Sequence, residues 1–377
     1  MATLMMSIKE GVYTNMTDSM VASYTGFVQI HAKGFWEEKT LDESFEFTDE
    51  VREAIESNRH VSGYVQRIES FALSATEHTT KGAMVVGTDP EAEKELTKMH
   101  DRVAEGEYLQ PGDRAVMIGS GLAEYHDVTV GDTIVLLGMG YHGANAAGKY
   151  PIKGIVKFGS PDLSKQLVIM PIELAKQLYG MENNIVNVVL LLDDASKAVS
   201  VAKDIQSKIG EQYEVMPWPE LVPDLVDMIE ADRAEGIVFM FILYMVISFG
   251  IFGTVLMMMA ERRHEFGVLV AVGMKRVKLA FVVMLEVITI ALFGAISGIF
   301  GAIPVISYFY FNPIRFDSGS EMAKTYEEYG MEAIIQSSLD PSIFIQQASI
   351  VALVAMAISI YPFISVLRIS AIKAMRS

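Results

Sequence analysis

"IVFMFILYMVISFGIFGTVLMMMAERRHEFGVLVAVGMKRVKLAFVVMLEV", residues 237–287, is the stretch on which the fold turns. Its first part, Ile237–Ala260, holds 24 residues and no charge. As a helix it is ~36 Å long, enough for the ~30 Å hydrocarbon core of a bilayer. Buried helices of soluble proteins are seldom so long and so apolar. Two more runs follow: Leu279–Phe311, 33 residues interrupted only by Glu286, and Pro341–Leu367, 27 residues without a charge. The chain therefore carries three candidate membrane spans, near 237–260, 279–311 and 341–367.

The connecting segments orient them. Glu261–Lys278 carries five cations (Arg262, Arg263, Lys275, Arg276 and Lys278), and Arg368–Ser377 carries three with no acid. Asn312–Asp340 has two cations against six acids. Short basic loops stay on the cytoplasmic side. The 261–278 loop and the C-terminus are thus expected inside the cell, and residues 1–236 outside. Export of so large a segment needs a leading signal, and "MATLMMSIKEG" has neither a basic flank nor an apolar stretch of adequate length. Residues 1–25 are expected to be the remnant of a first span with its outer extension, the span itself beginning upstream, which makes four spans.

Charge divides the chain in the same place. Of 377 residues 51% are hydrophobic and mean hydropathy is +0.31. Residues 1–236 carry 20 Lys and Arg against 38 Asp and Glu; residues 237–377 carry 10 against 9. An acidic outer half argues against nucleic acid as a partner. Absence of cysteine removes disulfides and thiol chemistry. The seven histidines show no metal-binding spacing, and "IGSGL" at 118–122 lacks the spacing of a serine nucleophile elbow. No catalytic constellation emerges, and the chain reads as a non-enzyme.

One stretch comes close to a nucleotide-binding loop. "GANAAGKYPIKG", residues 143–154, matches G-x-x-x-x-G-K through Gly143, Gly148 and Lys149, but Tyr150 replaces the Ser or Thr that would hold magnesium. A strand pattern with Pro151 follows, where a nucleotide loop needs a helix start. The stretch reads as a loop joining two strands, with Lys149 solvated. No cofactor is expected on this chain.

Periodicity in the outer half gives a strand at Phe27–Ala32, a helix near Thr48–Ser57 and a strand near Val61–Ser74. After a long gap come a strand at Ile185–Leu192, a helix over Ala195–Ile209 and a strand near Tyr213–Met216. Two βαβ units side by side make a ferredoxin-like layer. The expected fold class is a membrane α-helical bundle plus an extracytoplasmic α+β domain, whose ferredoxin-like layer (26–75 and 184–217) holds an inserted β-rich subdomain (76–183). Residues 218–236 are expected to form a stalk helix, and 237–377 the membrane domain.

The segment Glu261–Val287 resembles the signature of FtsX-like ABC transporter permeases, E-R-x-x-E-x-G-x-L-x-A-x-G after a span. Glu261, Arg262, Glu265, Gly267, Leu269, Ala271 and Gly273 fall on it, and Glu286 matches an acid early in the next span. "VMIGSGLAEYHDVTVGDTIVLL" (116–137) and "YPIKGIVKFGSPDLSKQLVIMPIELAKQLYG" (150–180) are similar to the outer domain of lipoprotein-releasing and macrolide-exporter permeases. "LRISAIKAMRS" (367–377) is similar to their ending, with Ala371 where proline is usual.

The resemblance implies a permease subunit in the plasma membrane of the cell (the inner membrane where there are two), with ATP bound by a separate cytoplasmic ABC ATPase. Further implied partners are a second permease copy or homologue in a dimer, membrane lipid, and a periplasmic or outer-membrane partner. The 261–273 segment would be the coupling helix on the ATPase; as a plain residue pattern it is also a basic turn anchoring two spans. Movement would be mechanical, serving lipoprotein release or export from the periplasmic side. The alternative is an FtsX-type transmitter that activates a cell-wall hydrolase, a relative with a smaller outer domain. Glu286 is an intramembrane acid, near enough to the surface for hydration or pairing. Gly294 and Gly298 form G-x-x-x-G, which suits either a dimer seam or packing within the chain.

Overall fold

The computed structural model describes residues 1–17, 21, 24–158, 161–316, 320–321 and 334–368. They form two compact units, one within residues 15–226 and the other from Met1–Thr14, Asp227–Arg315 and the segment from Ile334 onward. The ending similar to that of the exporter permeases lies, from residue 369 on, outside the described residues.

Helices are numbered α1 (Ala2–Thr17), α2 (Asp49–Glu56), α3 (Pro90–Leu96), α4 (Ser120–His126), α5 (Ile172–Tyr179), α6 (Ala198–Ile209), α7 (Pro223–Glu261), α8 (Arg263–Ala271), α9 (Arg276–Phe311) and α10 (Pro341–Leu367). Ten strands make one sheet: β1 (Val28–Ala32), β2 (Val61–Ala75), β3 (Thr80–Thr88), β4 (Val103–Gly106), β5 (Val116–Gly119), β6 (Thr133–Met139), β7 (Asn145–Val156), β8 (Leu167–Pro171), β9 (Asn187–Leu192) and β10 (Tyr213–Pro217).

In the first unit the strands run β10-β1-β9-β2, all antiparallel. This is the order that two interleaved βαβ units must take when both crossovers are right-handed. The two crossover helices, α2 and α6, pack on each other. Thr48 caps α2 by accepting from the Val51 N–H, and the helix buries Val51, Ala54 and Ile55. The ferredoxin-like expectation describes this half of the sheet.

Expectation and structure part at the insertion. Its strands do not form a separate body but continue the same sheet through β2, whose 15 residues serve both halves. Beyond β2 the pairings run β3-β8-β5-β7, and β6 pairs with both β7 and β2, so six strands close a ring. The inserted segment is β-rich, with six of the ten strands, and helices α3, α4 and α5 lie in it as well. The reason is visible in β8, Leu167–Pro171, every residue of which is buried. A strand covered on both faces needs helices as well as strands over it.

The other unit holds three helices long and apolar enough to cross a membrane, within α7, α9 and α10. The stalk expected over 218–236 is shorter: Trp218–Leu221 is a separate turn, and α7 then runs unbroken from Pro223 into the first span. Helix α1 docks in this unit. Ser7 Oγ donates to the Ser338 carbonyl at 2.6 Å, and the Ser338 N–H donates to the Ser7 carbonyl at 2.8 Å. Lys9 pairs with Asp232 at 2.9 Å, and the Tyr13 hydroxyl donates to the same carboxylate. A Cβ on Gly11 would lie 2.1 Å from the Gln336 carbonyl oxygen. Gly11→Val is accordingly expected to cost about 1–3 kcal/mol by overpacking against backbone that cannot swing aside. Thermal unfolding of the full chain in detergent checks this, and an unchanged midpoint refutes it.

Candidate coupling site

Helix α7 ends at Glu261, and a break of one residue, Arg262, separates it from α8. Helix α8 ends in a tight reversal. Gly273 takes φ +109°, its N–H reaches the Val270 carbonyl at 3.2 Å, and the Met274 N–H reaches the Leu269 carbonyl at 3.0 Å. This 6→1 and 5→2 pair terminates a helix with glycine in the left-handed half of backbone space. The last glycine of the signature is thus explained by backbone geometry alone.

Amphipathic packing on α8 is narrower than the sequence implies. Phe266 is 1% exposed, in a cluster with Leu279, Ala280, Val283 and Val287 of α9 and Val366 of α10. Leu269 and Val272 are exposed, as are Ala271 and Gly273, and Val270 is half-buried. Gly267 is buried within the chain.

The charges pair in a way the spacing could not show. Arg262 Nη1 donates to Glu286 Oε1 at 2.6 Å, its Nε donates to Glu265 Oε2 at 3.2 Å, and the guanidinium lies 5.5 Å from the Phe266 ring centroid. The Glu265 hydrogen bond, ahead of the Glu286 charge, raises the Arg262 pKa above its ordinary value. Of the signature charges, Glu261 and Glu265 stay exposed, together with Arg263 and His264. What residues 261–272 offer outward is mixed: two acids, two basic side chains and a few aliphatic ones.

The structure brings Glu261, Arg262, Glu265, Gly267 and Glu286 into one region and leaves Gly294 and Gly298 apart. A Cβ on either of these would meet nothing within 4 Å. Gly294 borders an apolar groove of ≈ 360 Å³ between α7, α9 and α10, lined also by Ile251, Thr254, Met258 and Ala291.

Two other places invite a chemical reading. The near-P-loop lies in the hairpin of β6 and β7, where Lys149 is exposed in mid-strand opposite Val135. The turn is shorter than the sequence suggests, Gly140–Ala144, because β7 begins at Asn145. In the outer domain Ser74 Oγ lies 2.9 Å from His126 Nε2, a contact reminiscent of a nucleophile and its base. Ser74 already donates to the Lys81 carbonyl, and the other ring nitrogen takes Thr79 Oγ1 at 2.5 Å. The proton therefore sits on Nε2, facing the serine, which is the wrong tautomer for a base. Burial first, and then Lys81, lowers the His126 pKa, keeping the ring neutral.

A family model for the MacB-like periplasmic core domain matches residues 1–208, and one for the FtsX-like permease C-terminal domain matches residues 237–375. The lipoprotein-releasing system transmembrane protein LolC of Xylella fastidiosa (strain 9a5c) is 24% identical over 254 residues, 64% of this chain. The chain spans 60% of that relative's length. Among solved structures, the periplasmic region of MacB from Actinobacillus actinomycetemcomitans has a TM-score of 0.37 at 10% identity, covering 53% of this chain and 92% of that one. The extracellular domain of the noncanonic ABC-type transporter YknZ from Gram-positive bacteria has a TM-score of 0.36 at 17% identity, covering 50% and 98%.

Proposed function

Because the chain belongs to the family built on a MacB-like periplasmic core domain, joined here to an FtsX-like permease domain, we propose that it is the membrane subunit of an ABC transporter driven by a separate ATPase. The observation that carries this is α8: a helix between two apolar helices, stopped at both ends, turning its charges outward. A short helix held this way can carry a push from an ATPase into the spans. The basic composition of the 261–278 loop supports a cytoplasmic position for it and an outer position for residues 15–226. ATP is bound by the partner, and this chain contributes no catalytic group. Gly294 and Gly298 face open space and support a second permease copy against α9. The substrate class favoured is a lipid-anchored protein released from the outer face of the membrane, in line with the name of the LolC relative. Export of another substrate from the periplasmic side would use the same machine.

The test is reconstitution. Purified alone, the chain should not hydrolyse ATP, and Lys149→Ala should leave it unchanged. Mixed in membranes with an ABC ATPase encoded beside its gene, it should form a stable complex whose ATPase rate responds to both components. Hydrolysis by the chain alone, or no complex with that ATPase, rules the proposal out.

A further inference from the structure

Glu286 stands ten residues after Arg276, the first residue of α9, which puts it ~15 Å along that helix. Its partner Arg262 is the residue directly after α7, and the two side chains are 39% and 33% exposed. The end of α7 is therefore level with Glu286, not with the cluster Lys275, Arg276 and Lys278. The residues of α9 before Glu286 are packed: Leu279, Ala280 and Val283 share one buried cluster with Phe266 of α8, Val255 and Met259 of α7 and Val366 of α10, and Phe281 meets Phe363 of α10 edge-on at 5.3 Å.

We propose that the Arg262–Glu286 pair marks the edge of the lipid hydrocarbon and holds α8 and the first turns of α9 together as a helical hairpin standing outside it. Length agrees. Leu279–Phe311 is ~50 Å as a helix, far longer than a ~30 Å core needs, whereas 287–311 is ~37 Å, close to the ~36 Å of Ile237–Ala260. Charge agrees as well, since a paired Arg and Glu are tolerated at the interface far better than at depth. The signature arginine then acts as a positioning residue: it fixes the hairpin, and Glu265 and Glu261 are left to face a partner. Phe281 and Val282, 49% and 50% exposed, lie outside the lipid tails. That the hairpin stands on the cytoplasmic side rests on the functional reading above.

The chain has no cysteine, so an introduced one is unique. Phe281→Cys, Val282→Cys and Leu285→Cys, with Ile290→Cys, Phe293→Cys and Ile296→Cys for comparison, would be made in the full chain. Inverted and right-side-out membrane vesicles would be treated with a membrane-impermeant maleimide. The first three are expected to label from the inner face at least about ten-fold faster than the second three, which lie in hydrocarbon. Ala280, fully buried against α8, tests the latch: Ala280→Cys should be inert, become reactive when Glu286→Gln is added, and be protected again in the Arg262→Glu/Glu286→Arg exchange. Protection of positions 281 and 282 equal to that of 293 on both faces would overturn the boundary. Protection at 280 that ignores Glu286→Gln would overturn the latch. Labelling from the outer face alone would support the boundary and overturn the orientation in the proposed function instead.

Discussion

Glu93→Ala is expected to destabilise the outer domain by about 3–5 kcal/mol, the cost of breaking a buried ion pair by removing one partner. Arg67 and Glu93 are both fully buried. Arg67 reaches the carboxylate twice, Nε at 3.1 Å and Nη2 at 2.6 Å, while the hydroxyls of Thr88 and Thr97 donate to it at 2.7 and 2.8 Å. Arg67 Nη1 also donates to the Tyr24 carbonyl at 2.7 Å. Truncation of Glu93 removes the bidentate partner of a buried guanidinium and leaves Glu69, 3.4 Å from Nη1, as its remaining carboxylate. Arg67→Met combined with Glu93→Leu should cost less than Glu93→Ala, because both charges leave together. Both tryptophans, Trp36 and Trp218, lie in this domain, so fluorescence during urea unfolding of the full chain in detergent reports on it alone. A loss under about 1 kcal/mol would refute the expectation.

Acid offers a second reading of the same pair. Burial by itself would raise the Glu93 pKa, but the Arg67 charge and the hydrogen bonds from Arg67, Thr88 and Thr97 outweigh it and hold the carboxyl below its ordinary value. A carboxylate with a depressed folded pKa stabilises fully above its unfolded value, about 4.3, and stops doing so as pH falls through the folded pKa. The gap between wild type and Glu93→Ala should therefore narrow in acid.

Much of the outer domain was legible because periodicity there is strong. Strand β1 over Val28–Ala32, helix α2 after its Thr48 cap and helix α6 lie within a few residues of the sequence reading. The length of β2 was read to within a residue, Val61–Ser74 against Val61–Ala75; which strands flank it could not be read. A strand's alternation tells which face is buried and not which strands flank it: β3 follows β2 in a hairpin, but the pairings of β2 with β6 and β9 are long-range and close the insertion onto the sheet. The Arg67–Glu93 pair, 26 residues apart, was invisible for the same reason.

At the coupling site, residue types were legible and their partners were not. The signature singled out Arg262 and Glu286 separately, one as a docking charge and one as an intramembrane acid. Their contact spans 24 residues and exists only because α9 returns past α8. Gly267 reads in sequence as one residue of the signature; folded, it is buried within its own chain. Gly273 could have been assigned from sequence, since a glycine directly after an apolar helical stretch and before Lys275 and Arg276 marks a left-handed helix end.

Charge reversal on α8 should separate docking from folding. Glu265 is 65% exposed on its side chain, and its only described ion pair is with Arg262, three residues away. An exposed pair of this kind contributes a few tenths of a kcal/mol, so Glu265→Arg should leave the thermal midpoint nearly unchanged. Arg262 keeps Glu286, and the hairpin stays closed. Against a partner the outcome differs: removing one member of a desolvated interfacial pair costs about 2–5 kcal/mol, and reversing it adds repulsion. Even the lower figure means a ~30-fold weaker complex with the ATPase. Gly267→Leu should behave in the opposite order, because that position is buried in the chain: it should lower the thermal midpoint first and weaken the complex only through misfolding of α8. The measurement is co-purification of the ATPase with each variant, next to the detergent melting curve of the permease. If Glu265→Arg holds the ATPase at the wild-type level, the exposed acid of α8 is not part of the docking surface.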